Sequence, residues 1–200
     1  MPTFKFLLVK FCLIAGCINQ PPKTDAVFST QKSVPAAQLI VPGKSIGQTS
    51  IGENAENVFR RLGNPDSGDA AMGKSLSTWY AKHDVKGYQT QVFCSRNMGN
   101  PDETVSRVIQ IRVTSPYFKT ANGIGVGSML KQINASFISK KSSFYKENKQ
   151  TFFVYDTAEG IAFETTAGGK CVGIIVHALK NYGGATYLPF HDHQKMLTGI

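Results

Sequence analysis

Residues 51–65 constrain the fold of this 200-residue chain more than any other stretch, because they predict one short amphipathic helix and its end. Apolar side chains recur three and four residues apart and so share one helix face; they are Ala55, Val58, Phe59 and Leu62. Glu53 and Glu56 suit the start of the helix dipole, and Arg60 and Arg61 suit its end. Gly63 and Pro65 indicate that the helix stops there.

A second, shorter pattern of the same kind lies about 75 residues later, at residues 127–137. Each helix pattern precedes three stretches with period-two alternation, which is typical of strands with one buried face. These stretches are residues 76–81, 87–95, 106–114, 150–156, 160–165 and 170–178. We therefore predict an α+β fold in which tandem helix-plus-three-strand repeats form an antiparallel sheet with the helices packed on one face. Chance similarity of two amphipathic units is the alternative.

Composition supports a packed domain, since 42% of the residues are hydrophobic and 18% are charged. The formal net charge is +9, and the basic residues are spread along the chain. Such a charge favours anionic polymers non-specifically but defines no site. We interpret it as a solvated surface and predict no nucleic-acid partner and no cofactor.

The N-terminus predicts export. Residues 1–16 combine an early lysine, an apolar stretch too short to span a bilayer and small residues at the end, as a secretory signal does. Residues 13–17, Leu-Ile-Ala-Gly-Cys, resemble a bacterial lipobox, although Lys10 interrupts the apolar stretch. The resemblance implies that Cys17 is acylated, so that the chain is lipid-anchored in the cell envelope. Ile18 after the cysteine favours the outer membrane. Ordinary secretion with an incidental Cys17 is the alternative.

The remaining organisation follows from composition. Residues 17–38 are rich in Asn, Gln, Pro, Lys, Ser and Thr and predict the lipidated cysteine with a flexible tether. Residues 39–41 begin the folded chain as a short edge strand. We assign residues 39–115 to the first repeat, 116–190 to the second and 191–200 to a C-terminal tail.

A motif in the first repeat resembles a known family. Gly52, Val58, Leu62, Gly63 and Pro65 have the spacing found in the SmpA/OmlA (BamE-like) envelope lipoproteins and in the similarly built repeat of β-lactamase-inhibitor protein. The motif covers about fifteen residues, and the second repeat lacks its Leu-Gly-x-Pro ending. The resemblance implies short helices on an antiparallel sheet, and a chain that binds other proteins without catalysis.

Two cysteines lie in the predicted folded region, Cys94 and Cys171. Outside the cytoplasm such a pair suggests a disulfide, which would close a loop of about 75 residues and stabilise the fold by about 4 kcal/mol. Two buried free thiols are the alternative. No nearby basic residue is placed to activate either cysteine for catalysis.

His191, Asp192 and His193 form the one compact set of side chains that suit zinc. A zinc site would need a third protein ligand and supporting hydrogen bonds, and a solvated tail is the alternative. Sequence motifs of serine hydrolases, zinc proteases and phosphate-binding loops are absent.

Aromatic residues of the strands suggest where a partner binds. If Tyr80, Tyr88 and Tyr155 share the sheet face away from the helices, with Arg112 at its rim, they form a platform for a protein or glycan. Core packing of these residues is the alternative. The sequence therefore predicts a non-catalytic envelope lipoprotein that binds another envelope protein. A metal-dependent envelope hydrolase and a structural lipoprotein that binds the cell wall are the other hypotheses.

Overall fold

A computed structural model describes residues 33–179, 189–191 and 194–197. The predicted signal peptide, Cys17 and most of the predicted tether lie outside the described residues, as do Asp192 and His193. The described residues belong to one compact unit, which contains every helix and strand that the structure describes.

Thirteen β-strands are described, and they form two sheets. They are β1 (Leu39–Val41), β2 (Ser45–Ile46), β3 (Thr49–Ser50), β4 (Ser67–Ala71), β5 (Lys74–Tyr80), β6 (Gln89–Arg96), β7 (Ser106–Val113), β8 (Lys119–Thr120), β9 (Ser139–Glu147), β10 (Gln150–Thr157), β11 (Ile161–Thr166), β12 (Cys171–His177) and β13 (Lys195–Met196). The large sheet is antiparallel and has the order β13-β9-β10-β11-β12-β7-β6-β5-β4. The small sheet has the order β3-β2-β1-β8, with β1 and β8 parallel.

Two short α-helices precede the two groups of strands, α1 (Ala55–Leu62) before β4 and α2 (Leu130–Ser136) before β9. The helix predicted at residues 51–65 is confirmed. The Asn54 side chain accepts a hydrogen bond from the Glu56 N–H, and Gly63 ends the helix with a positive φ of 79°. The second helix is shorter than predicted. Within the described ranges, no helix has the length and apolar character needed to span a bilayer.

The predicted fold class is wrong. The described chain is mostly β, with a nine-stranded and a four-stranded sheet and only two short helices, rather than repeats of one helix and three strands under a helical layer. β4 and β9 were missed because they carry no apolar alternation: β4 is exposed along its length, and β9 begins with polar residues. Helices this short cannot cover nine strands, and the small sheet contributes Ile40 and Ile46 to the same core.

The large sheet buries residues on both faces. The face that we call the helix side packs against α1, α2 and the small sheet, and its core includes Val58, Ile111, Ile133, Phe163 and Ile174. The opposite face is covered in part by residues 189–191, which we call the covering segment. Residues 194–197 contain the edge strand β13. Phe190 from the covering segment packs with residues of the sheet, namely Phe93, Tyr145, Val154, Ala162 and Ile175. That second face is therefore not the open surface that the sequence predicted.

Two isoleucines, Ile133 within α2 and Ile138 just after it, test the packing assigned to the helix side. Ile133 is fully buried in the helix-side core, whereas Ile138 is 89% exposed. We expect Ile133→Ala to lower the free energy of unfolding by about 2–5 kcal/mol, because it leaves a cavity in a packed core. Ile138→Ala is the matched control and should change it by less than about 0.5 kcal/mol. Urea unfolding followed by circular dichroism measures both, and equal effects would contradict the assigned packing.

Candidate functional site

The most concentrated set of polar side chains lies on the face under the covering segment and centres on Arg112 and Glu164. Arg112 is on β7 and Glu164 on β11, and β12 lies between these strands. The guanidinium Nε donates to both carboxylate oxygens at 2.9 Å, and Nη2 donates to Oε2 at 2.7 Å. Both side chains are buried, so the pair is enclosed within the fold.

Glycine at position 173 makes this contact across β12 possible. Gly173 pairs with Glu164 in the β11–β12 register, and Arg112 pairs with Ile175 two residues further along. A β-carbon on Gly173 would collide with the Glu164 carboxylate. The absence of a side chain on β12 therefore opens the space in which the two charged groups meet.

Two amide side chains of the neighbouring strand β6 complete the hydrogen bonding of Arg112. Its Nη1 donates to the side-chain oxygens of Gln89 at 3.0 Å and Gln91 at 2.7 Å. Gln91 in turn donates to the Thr78 hydroxyl at 3.1 Å. The network thus extends from β11 to β5 across the centre of the large sheet.

The covering segment closes the network through His191. Its Nε2 lies 2.7 Å from Oε1 of Glu164, and its ring stacks on the Tyr145 ring with the centroids 3.6 Å apart. Arg112 also forms a side-chain hydrogen bond with Tyr145. His191 therefore joins the covering segment to both β9 and β11.

Charge pairing keeps the Arg112–Glu164 pair ionised. Burial alone raises the pKa of the Glu164 carboxyl, but the positive charge of Arg112 and then that of His191 outweigh it and lower the pKa to about 2. Burial alone lowers the pKa of Arg112, and the charge of Glu164 reverses this, so that the pKa is raised. A carboxylate that is held so strongly by a guanidinium is a poor proton acceptor. The network is suited to fixing the sheet and the covering segment rather than to acid–base catalysis.

A second buried pair lies near the end of β12. His177 places Nε2 2.9 Å from Oδ1 of Asp156 and Nδ1 2.9 Å from the carbonyl oxygen of Ala178. A carbonyl oxygen only accepts hydrogen bonds, so the histidine Nδ1 donates to it. This pair connects β10 to β12 across β11.

The structure does not bring the predicted platform residues together. Tyr80 is the last residue of β5, and Tyr88 lies just before β6 with 54% of its surface exposed. Tyr155 pairs with Phe163 and so lies on the helix side, whereas Arg112 is buried on the opposite face. Tyr155 and Arg112 thus cannot contribute to one surface.

Cys94 and Cys171 are free, buried thiols, which is the second of the two alternatives considered for them. Cys94 pairs with Val108, whereas Cys171 lies beyond the level of Val113, two strands away. In this register the α-carbons of the two cysteines are much farther apart than about 7 Å, which is the largest separation that a disulfide permits. Burial, followed by the charge of Glu53 for Cys94 and of Glu164 for Cys171, raises the pKa of each thiol to about 12.

The predicted zinc ligands are only partly described. His191 directs its Nε2 to Glu164, which Arg112 already holds, while Asp192 and His193 lie outside the described residues. The described ranges contain no group of three or more His, Cys, Asp or Glu side chains that could hold a metal ion.

A surface groove lies at the other side of the molecule, where α1 meets the β4–β5 hairpin. It has a volume of about 490 Å³, and its lining includes Phe59 of α1, Ala70, Met72, Lys74 and Arg96. Phe59 is held by Trp79, with the ring centroids 5.8 Å apart. Met72 beside the groove is 77% exposed. Met98, whose sulfur a β-carbon on Gly73 would meet, is 63% exposed. None of these residues was predicted to form a site, and Phe59 was predicted only as part of the helix.

Comparisons with known proteins assign no family. No family model and no curated protein matches the chain. A cysteine-rich secretory protein from Staphylococcus aureus subsp. aureus Mu50 has a TM-score of 0.43 and 11% identity, over 71% of this chain and 49% of that one. An extracellular protein containing an SCP domain from Bacillus anthracis str. Ames has a TM-score of 0.41 and 12% identity, over 64% and 44%. The chain thus spans less than half the length of either protein.

Glu164→Gln tests the buried pair. The variant leaves the Arg112 charge buried without its counterion, so we expect the free energy of unfolding at pH 7 to fall by about 3–5 kcal/mol. Replacing both residues by Arg112→Met and Glu164→Leu should recover most of this loss, because the uncompensated charge is then gone. Recovery of nothing by the double variant would contradict the pairing.

The same pair predicts an acid-sensitive stability. Because the Glu164 pKa is lower in the folded chain than its ordinary value of 4.5, the ionised carboxyl stabilises the fold above that pH. This contribution is lost as the pH falls from 4.5 towards about 2. Urea titrations across this range should show a steeper decline for the natural chain than for the double variant.

Gly173→Ala tests the space between the strands. The added methyl group collides with the Glu164 carboxylate, so we expect a loss of about 2 kcal/mol or more in the free energy of unfolding. Gly168→Ala is the control, since Gly168 is in an exposed turn and a β-carbon there would make only an ordinary contact, 3.8 Å from the Thr166 hydroxyl oxygen. A Gly173→Ala variant as stable as the control would show that this glycine is not needed.

Proposed function

We propose that the chain is a lipid-anchored protein of the bacterial cell envelope, most consistent with the outer membrane, whose folded unit binds another envelope protein and catalyses no reaction. The observation that carries the proposal of protein binding is the groove between α1 and the β4–β5 hairpin, with Met72 and Met98 exposed beside it. The lipobox-like residues 13–17 support the anchor.

The groove has features of a protein-binding surface. Methionine side chains are flexible and polarisable, and they are common where one surface must fit a partner closely. The two methionines lie near each other, because the Met98 side chain occupies the space into which a β-carbon on Gly73 would project. Covering one such side chain with a partner removes apolar surface from water and contributes about 1.5–3 kcal/mol to binding.

Charge at the groove defines the kind of segment that it fits. Lys74 and Arg96 are the charged residues in its lining, and both are basic. The Phe59 ring lines the groove and packs against the Trp79 ring. We therefore expect the partner to present an apolar side chain flanked by Asp or Glu, which would pair with the basic rim.

Site-specific photocrosslinking in the native cells tests this function. A photoreactive phenylalanine at position 72 or position 98 should form an adduct with the same envelope protein. The same residue at position 167, in the exposed turn after β11, should give no such adduct. Met72→Asp should lower the yield from position 98 by about tenfold or more, because it places a charge next to the apolar contact.

Two outcomes would contradict the proposal. One is an adduct from position 167 as abundant as those from positions 72 and 98. The other is the absence of a protein adduct from both methionine positions in folded, membrane-bound chain. If Cys17 is the anchor, mass spectrometry of the chain purified from the native cells should find acyl groups on Cys17, and the Cys17→Ser variant should carry none.

A further inference from the structure

The outer edge of β4, beside the groove, is an open edge of the large sheet. β4 is the terminal strand on that side, and no described strand pairs with its outer edge. Its sequence is Ser-Gly-Asp-Ala-Ala, and every residue is exposed except Ala71, which is half-buried. Edge strands of soluble proteins are commonly blocked by lysine, proline or a bulge. β4 contains neither residue, and its pairing with β5 runs without a register shift, so that the edge is available for pairing.

The hairpin that joins β4 to β5 determines which main-chain groups point outward. Met72 and Gly73 form its two-residue loop, and both have the positive φ that a type I′ turn requires, 50° and 73°. The pair of residues that flanks this loop therefore exchanges main-chain hydrogen bonds, and every second pair beyond it does the same. Gly68 and Ala70 belong to the pairs between, so their N–H and C=O groups point away from β5. These four groups form a template for one more strand.

The same two residues of β4 lie next to the groove. Ala70 pairs with Ser75, and Gly68 pairs with Ser77; both serines line the groove, as does Ala70. Neither Gly68 nor Ala70 has a side chain larger than a methyl group. Side chains of a strand added outside β4 can therefore pass over these two residues towards Phe59, which lines the groove from α1.

We propose that the partner binds as an extended segment that adds a tenth strand at the outer edge of β4 and places alternate side chains in the groove. This inference rests on the proposed function, because it assigns the binding mode and the chemistry of the same partner. The main chain of the segment pairs with Gly68 and Ala70. An apolar side chain occupies the space beside Phe59, and an Asp or Glu two residues away in the segment reaches towards Arg96. A helical partner cannot pair in this way, since its own N–H and C=O groups bond within the helix.

Asp69 argues against a second copy of this chain as the added strand. Two identical edges that use all four outward groups pair about a two-fold axis, with Gly68 of one copy opposite Ala70 of the other. The two Asp69 side chains then lie directly opposite each other, which is destabilising for like charges. A partner with an uncharged or basic residue at that position meets no such repulsion. In the chain by itself, the Asp69 carboxylate accepts a hydrogen bond from the Ala70 N–H at 2.7 Å, a donor that the added strand would take over.

Random linear peptides displayed on phage provide the probe for this edge. They are selected against the full chain purified from the native cells, and the selected peptides are synthesised. We expect apolar residues at every second position, with Asp or Glu among the residues of the same face, because residues i and i+2 of a strand share a face. Apolar residues three and four apart, as in a helix, would overturn the proposal, and so would a selection that yields no peptide.

Main-chain pairing has a direct readout in the selected peptide. Its amide nitrogens are methylated one at a time, which removes one N–H donor and leaves every side chain in place. Only every second residue of a strand directs its N–H towards β4. Binding should therefore weaken by about tenfold at alternate positions and change by less than about threefold at the others. Losses without this alternation would overturn strand addition.

A matched pair of substitutions tests the edge of the protein. Ala70→Pro removes the outward N–H, and proline is tolerated in an edge strand where that group faces solvent. This variant should bind the peptide about tenfold more weakly, or worse, whereas Ala70→Ser keeps the N–H and should change binding by less than about threefold. Urea unfolding shows whether both variants are folded, and the methylation series decides the question if the proline variant is not. Equal binding by two folded variants would contradict the proposal.

The acidic residue of the segment has its own control. Arg96→Glu should weaken binding of the acidic peptides by about tenfold, because attraction becomes repulsion at the groove. Lys86→Glu makes the same change in net charge on the exposed loop between β5 and β6 and should have less than about a threefold effect. Equal losses in the two variants would contradict the assigned contact.

The binding mode and the proposed function can fail separately. Adducts at positions 72 and 98 in cells, combined with peptides that do not bind as strands, would retain the proposed function and reject strand addition. Peptides that bind as strands without any adduct in cells would reject the cellular partner and retain the binding mode. Dimerisation of the natural chain that Ala70→Pro abolishes would assign the edge to a second copy and overturn the proposal.

Discussion

The pairing of Arg112 with Glu164 across the middle of the large sheet is the interaction on which the described architecture depends. It joins two strands that are not neighbours, and it requires a strand without a side chain between them, which Gly173 supplies. A buried charge costs several kcal/mol unless its partner is in place. The register of β7, β12 and β11 is therefore fixed by electrostatics as well as by apolar packing. A slip of one residue in β7 or in β11 would turn that strand's charged side chain to the other face and leave its partner buried alone.

The two ends of the large sheet have different chemistry. The β4 end carries the groove with its methionines, and the β9 end carries lysines, aromatic rings and Ile138. Eight strand spacings of about 4.8 Å separate the terminal strands, or about 38 Å.

Much of the local structure could be predicted from the sequence, and little of the site could. Alternation located β5, β6, β7, β10, β11 and β12 to within about two residues, and capping signals located α1. The strand predicted at residues 39–41 is β1, but it lies between β2 and β8 rather than at an edge. β4, β9 and β13 were missed because strands that are exposed or covered by polar groups show no apolar period. Arg112 and Glu164 are 52 residues apart, and only the order of strands in the sheet brings them together. That order was not readable from alternation, so the face that contains the pair was predicted to be open.

The position of the covering segment in the sequence also determines when the buried face of the sheet is closed during synthesis and export. Phe190 and His191 follow both members of the buried pair in the sequence, so they leave a ribosome, or a translocation pore, after Arg112 and Glu164 have emerged. Until they arrive, the guanidinium and the carboxylate are hydrated, and the sheet can rearrange without a large penalty. Their arrival removes that water and closes the polar face. A polypeptide that must be threaded through a membrane before it folds would benefit from sealing its interior last.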